Sequence, residues 1–161
     1  MLIFIIGYMG SGKSTFGKQL AEKLDHSFLD LDELIEKEAC MSVAEIFENA
    51  GEDEFRQLEH QVLLDHLNDK NTVIATGGGT PCHFDNMDLM NEQGITIFLD
   101  TPVEIIIGRL IPDADKRPLL KDISEKDLPG FIREHLEIRR KCFQRARFNI
   151  KDDEAGIIFK L

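Results

Sequence analysis

The first fifteen residues, MLIFIIGYMGSGKST, constrain this chain more than any other stretch. Leu2 to Ile6 is an unbroken apolar run, as expected of a strand buried on both faces of a parallel sheet. Gly7, Gly10 and Gly12 follow at once, then Lys13, Ser14 and Thr15; Gly7-x4-Gly12-Lys13-Ser14 completes a phosphate-binding loop pattern. Glycines admit backbone angles that a Cβ forbids, so successive N–H groups can curl around an anion. Lys13 supplies a mobile charge for the outer phosphates, and the Ser14 hydroxyl can ligate Mg²⁺. The helix beginning near Lys13 aims its positive end at the same spot. A glycine-rich corner without a ligand is the plain alternative. The strand before the loop and the helical pattern FGKQLAEKL after it favour a nucleotide phosphate site.

At 161 residues the chain reads as one domain, 1–161, with bulk enough for a substantial core. Its formal net charge of −11 argues against nucleic acid or an anionic membrane as partner, so phosphates must be met by local cations. Of eight arginines none precedes Arg56, and five fall between Arg133 and Arg147. Cys40, Cys82 and Cys142 are odd in number and widely spaced, as in a reduced cytoplasmic protein. The N-terminal apolar run lacks a signal peptide's basic flank, and no stretch approaches the ~18 apolar residues of a membrane span.

Along the chain, residues 13 to 24 predict a first helix and Ser27 to Leu31 a second strand. On an extended backbone Asp30 and Asp32 would point to one side, at the strand end where open α/β sheets bind ligands. The competing role for Asp32 is an N-cap. Residues 33 to 50 read as helix with a break near Met41, where Ser42 and Glu45 form a capping-box signature. Gly51 ends that helix, and a longer one follows with Phe55, Leu58, Val62 and Leu63 on its apolar face. Arg56 lies there among Glu52, Asp53, Glu54 and Glu59; the plain reading is a surface ion pair of small worth. Thr72 to Thr76 is a third strand, and Gly77-Gly78-Gly79 directly after it suits close approach of main chain to a ligand. Ile95 to Leu99 is a fourth strand, with Thr101-Pro102 capping a helix that ends near Leu110 beside Arg109. A polar, proline-bearing connection, about 111–124, has the length of a mobile lid and carries Arg117, able to swing onto a transferring phosphoryl group. Ser124 and Asp127 are candidate caps for a last helix reaching about Ala146, on which Arg139 would face what the lid covers. Phe148 to Lys151 suits a fifth strand, and AGIIFKL is too short to assign.

Strands alternating with helices make an α/β domain with a parallel sheet. The motifs describe a small phosphoryl-transfer enzyme. The chain has no N-K-x-D guanine-reading motif and no apolar-Asp ending after strand three, which disfavours a GTPase. Asp32, Arg56, Gly78 and Arg139 suit a pocket for a hydroxylated carboxylate: an arginine can pair bidentately with the carboxylate, and an aspartate can accept a hydroxyl proton.

GYMGSGKSTFGKQLA, FLDLDELIE, MSVAEIFENAGEDEFRQLE, TGGGTP and KRPLL, in that order and spacing, resemble shikimate kinase from Ile3 to about Phe148. The resemblance implies the nucleoside monophosphate kinase-like P-loop fold, five parallel strands in order 2-3-1-4-5 flanked by helices. It implies transfer of the ATP γ-phosphoryl to the 3-hydroxyl of shikimate, on the way to chorismate and the aromatic amino acids, by a monomer. Gly10, Ser11, Gly12, Lys13, Ser14 and Thr15 would form the ATP loop, with Ser14 on Mg²⁺ and Asp30 reaching the ion through water. Asp32 would bind the shikimate hydroxyls and is the candidate base; Arg56 and Arg139 would hold the carboxylate. Gly78, with Gly79 beside it, would contribute main chain, and Phe47 and Phe55 would wall the pocket. Arg117 matches the lid arginine and Arg109 the one against adenine. Three departures stand out. Phe143 replaces the tyrosine usual four residues after Arg139, which leaves Arg140 as the alternative. The stretch from Arg109 to Arg117 is about one residue longer than the family pattern, which blurs the adenine contact, and the family's C-terminal helix has no counterpart before Leu161, which would open or alter the adenine side. The rivals are another small-molecule kinase of this fold, such as a gluconate kinase, and a catalytically silent homologue. The latter usually loses the loop lysine or the acidic residues that this chain keeps.

Overall fold

Leu2–Ile6 forms β1, and its buried residues divide by parity between the two faces of the sheet. Leu2, Phe4 and Ile6 pack with Leu31, Ile35, Leu63, Phe98 and Phe143 on one side. Ile3 and Ile5 pack with Phe16, Leu20, Val73 and Leu99 on the other. An apolar run without alternation is thus explained by burial from both directions. The computed structural model describes residues 1–151, so the AGIIFKL stretch and the adenine side expected near it lie outside the described residues.

The remaining strands and α-helices are α1 (Lys13–Leu24), β2 (Ser27–Asp30), α2 (Leu31–Ala39), α3 (Val43–Asp65), β3 (Thr72–Ala75), α4 (Asn86–Gln93), β4 (Ile95–Asp100), α5 (Val103–Leu110), α6 (Leu128–Phe143) and β5 (Phe148–Lys151), with short 3-10 helices at Thr80–Cys82 and Ile111–Lys116. All strand pairings are parallel, and the order is β2-β3-β1-β4-β5. The resemblance implied this order, and the structure has it. Because β1 lies between β3 and β4, its C-terminal end opens where neighbouring connections leave in opposite directions, the crevice in which such sheets bind ligands.

Helix ends explain where sequence reading and structure differ. The second strand stops at Asp30, one residue before Leu31, because the Asp30 side chain accepts a hydrogen bond from Asp32 N (3.1 Å) and caps α2. Asp30 is the cap, and Asp32 sits in the first helical turn rather than on a strand. Ser42 opens α3 with a complete capping box: Glu45 N donates to Ser42 Oγ at 3.2 Å and Ser42 N to Glu45 Oε2 at 2.7 Å. Gly51, at φ 84° and ψ 176°, kinks α3 where the sequence suggested two helices. Thr101 caps nothing; its hydroxyl donates to the Ser11 carbonyl (3.0 Å), tying β4's end to the phosphate loop. Ser124 and Asp127 hydrogen-bond one another before α6, and that helix ends at Phe143, three residues short of Ala146.

Candidate active site

Two cavities lie side by side at the C-terminal ends of the strands. The first, about 360 Å³, is lined by Gly10 to Thr15 of the loop (Ser11 excepted), Asp30, Asp32, Thr76, Gly78 and Arg117. Gly12 takes φ 92°, turning the chain into α1 so that the first helical N–H groups open toward this space. Lys13 is buried, and its Nζ donates to the Tyr8 carbonyl (2.8 Å). Burial holds Lys13 down to about 8, against the opposing pull of Asp32 and Asp30. Ser14 Oγ donates to Asp30 Oδ2 at 2.5 Å, so the chain's hydroxyl and carboxylate oxygens already converge beside the loop. Two hard oxygen donors next to a phosphate cradle suit Mg²⁺, which is normally held by one or two protein groups plus phosphates and water. Among the described residues no group of three or more His, Cys, Asp or Glu is placed to hold a metal ion.

The second cavity, about 100 Å³, shares Asp32, Gly78, Arg117 and Met9 with the first and extends between Phe47, Phe55, Arg56 and Arg139. Phe47 and Phe55, one on each side of the Gly51 kink, meet with ring centroids 4.6 Å apart. Arg56 is no surface residue: it is 5% exposed, donates to Glu59 at 2.8 Å, and reaches Glu52 through Nη2 at 3.2 Å. Glu59 is fully buried and also accepts from the Thr80 hydroxyl at 2.5 Å. Sequence reading passed over Glu59 as one acid among several, although its i+3 spacing from Arg56 placed both on one helix face. Val43, Met9, Pro118 and Leu119 also line this cavity; they lie within the stretches that carry the resemblance, but sequence reading singles out none of them as a site residue.

Arg139, 6% exposed, donates to the Gly78 carbonyl (3.0 Å), and among the described residues no carboxylate forms an ion pair with it. Arg140, the alternative, faces elsewhere and pairs with Asp100 at 2.7 Å. The glycines after β3 have a physical reason beyond any ligand. A Cβ on Gly79 would lie 2.6 Å from Arg56 Nη2, and one on Gly78 2.8 Å from the Met9 backbone nitrogen. The segment from Ile111 to Asp127 is held by Leu120, which is fully buried, and places Arg117 at the junction of the cavities. The buried Arg117 Nε has no hydrogen-bond partner among the described residues. Arg109 is exposed and donates to the Gly10 carbonyl (3.0 Å). Asp32, half-buried between the cavities, is pushed up to about 6 by burial and by Asp30 and Glu59, which together outweigh Lys13.

A phosphate cradle and an acceptor-sized cavity meeting at one carboxylate and one arginine are what a P-loop small-molecule kinase requires, on a nucleoside monophosphate kinase-like sheet. The chain belongs to the shikimate kinase family: the family profile "Shikimate kinase" matches residues 9–156. It is 43% identical over 152 residues to the shikimate kinase of Phocaeicola vulgatus, covering 94% of this chain and 87% of that one. Among solved structures, the shikimate kinase of Bacteroides thetaiotaomicron superposes with a TM-score of 0.89 at 36% identity, covering 99% of this chain and 94% of that one. The shikimate kinase of Acinetobacter baumannii in complex with shikimate gives 0.89 at 35% identity, covering 99% and 90%. A gluconokinase of Sinorhizobium meliloti, at 16% identity and a TM-score of 0.60, shares the fold alone.

Proposed function

We propose that this chain transfers the γ-phosphoryl group of ATP to the 3-hydroxyl of shikimate, giving shikimate 3-phosphate and ADP. One observation supports the acceptor more than any other: Arg139 is a buried guanidinium with no carboxylate ion-pair partner among the described residues, facing a cavity that also contains Asp32. A buried charge is stable only when paired. An anionic, hydroxylated acceptor completes that pair and presents its hydroxyl toward Asp32. Arg56, already held by Glu52 and Glu59, offers the same carboxylate a second, rigidly oriented cation.

The donor phosphates lie in the loop cavity, against the N-terminus of α1. Lys13 and Arg117 offset the charge that spreads over the transferring group. Ser14 and Asp30 would hold Mg²⁺, which when bound neutralises phosphate charge. Asp32 orients the acceptor hydroxyl and takes its proton as the new O–P bond forms and the bond to the ADP oxygen breaks. The segment 111–124 acts as the lid, Gly78 and Gly79 bound the acceptor through main chain, and Arg109 borders the adenine side. Among the described residues no helix is long and apolar enough to cross a membrane. The enzyme works as a cytoplasmic monomer, with no nucleic-acid or membrane partner.

The test is ADP release with ATP, Mg²⁺ and shikimate, against gluconate and no acceptor. Shikimate-dependent turnover is expected, and Asp32→Asn should reduce it by at least ~10²-fold with ATP affinity nearly intact. Equal ADP release without shikimate, or with gluconate, would refute the assignment.

A further inference from the structure

Tyr8 takes no part in the chemistry above, yet it touches both halves of the site. It is fully buried, inside the phosphate loop. Its carbonyl accepts Lys13 Nζ at 2.8 Å and Ser11 N at 3.2 Å, so its main chain is part of the donor cradle. Its side chain points the other way, toward α6. The Arg139 guanidinium lies 5.8 Å from the Tyr8 ring centroid, within the range of a cation–π contact. The Tyr8 hydroxyl meets His135 Nδ1 at 2.9 Å, one helical turn before Arg139, and Phe131 packs on that imidazole with centroids 5.1 Å apart.

The protonation states agree with this geometry. Burial raises the Tyr8 hydroxyl to about 12, so it keeps its proton. Burial, followed by Arg139, lowers His135 to about 4, so the imidazole is neutral near pH 7. A protonated hydroxyl and a neutral imidazole share this single hydrogen bond without a net charge, Tyr8 donating to Nδ1 or accepting from Nδ1–H according to the tautomer. A tyrosine serving only as core filler needs neither a hydroxyl partner nor a guanidinium over its ring.

We infer that Tyr8 is a positioning residue of the acceptor site: its ring and its bond to His135 fix the Arg139 guanidinium, while its own carbonyl fixes Lys13. One residue, through its carbonyl on one side and its ring on the other, thereby links the acceptor's anchor to the donor phosphates. The inference rests on the reading that Arg139 holds the acceptor carboxylate.

A double-mutant cycle on steady-state constants tests it. Tyr8→Leu should raise the shikimate KM about five- to tenfold and leave the ATP KM within about twofold. Placed on Arg139→Ala, it should add less than about twofold. Tyr8→Phe keeps the ring and removes only the hydroxyl bond, so it tests the inference even if the leucine variant fails to fold. Its shikimate KM should rise about two- to threefold with the ATP KM unchanged. A shikimate KM unmoved by Tyr8→Phe, equal changes in both KM values, or a Tyr8→Leu effect undiminished without Arg139 would each overturn the inference. An Arg139→Ala enzyme with a normal shikimate KM would instead overturn the carboxylate assignment, and this inference with it.

Discussion

Asp32 has three carboxylates, Asp30, Glu59 and Glu36, and one lysine near it, and burial together with the acids outweighs the lysine. Lys13 is displaced the opposite way, to about 8, while Asp32 rises to about 6. With the proposed roles of Asp32 as base and Lys13 as phosphate cation, the active free enzyme has Asp32 ionised and Lys13 charged, so kcat/KM for shikimate should be bell-shaped, with limbs near pH 6 and 8. A profile flat from pH 5 to 7 would separate Asp32 from proton transfer. Stability follows with a definite sign. A carboxyl whose folded pKa lies above its unfolded 3.8 favours the native state when protonated. That contribution is fully present below about pH 4 and is lost as pH rises through about 6. Ionised Asp32 therefore opposes folding at neutral pH. Asp32→Asn, expected to lose turnover, should nonetheless be more stable than wild type by about 1–2 kcal/mol at pH 7.5 and indistinguishable near pH 4. Urea unfolding at the two pH values measures this, and a destabilised variant at pH 7.5 would mean that Lys13 dominates.

At the scale of elements, legibility followed local signals. Leu2–Ile6, the loop and α1 were readable to the residue because apolar run, glycine spacing and helical period agree there. The Ser42–Glu45 box and the Gly51 break were equally plain. Asp30 and Asp32 were harder, since an aspartate at a strand end serves equally as strand, cap or ligand until the turn's hydrogen bonds are known. The burial of Arg56, Glu59 and Arg139 was illegible for another reason. It is created by packing α3 and α6 against the glycines after β3, segments far apart in sequence. The kink offers a test at this scale. Gly51 lies at φ 84°, and a Cβ there meets nothing within 4 Å, so Gly51→Ala introduces strain without a clash. It should destabilise the protein by about 1–3 kcal/mol in urea unfolding. Because Phe47 and Phe55 flank the kink and line the acceptor cavity, the shikimate KM should rise as well. Full stability in the variant would mean that the backbone relaxes out of the kink.

Across the whole molecule, every group placed in the site belongs to a connection at the C-terminal ends of the strands or to a helix running past them. The turns at the other ends carry no such group. Asp69 and Lys70 lie in one of these, between α3 and β3, with Lys70 exposed. A flexible ten-residue insert between them should lower stability by only about 1 kcal/mol. It should leave kcat and both KM values within about twofold, whereas the same insert between Gly78 and Gly79 should abolish turnover. Loss of activity on insertion at residue 70 would mean that the two edges are mechanically coupled. The parallel sheet thus gives the protein a working end and a handling end. A tether, dye or fused partner attached at Lys70 leaves both cavities facing outward, which suits the enzyme to immobilisation on a surface or to single-molecule observation of its own turnover.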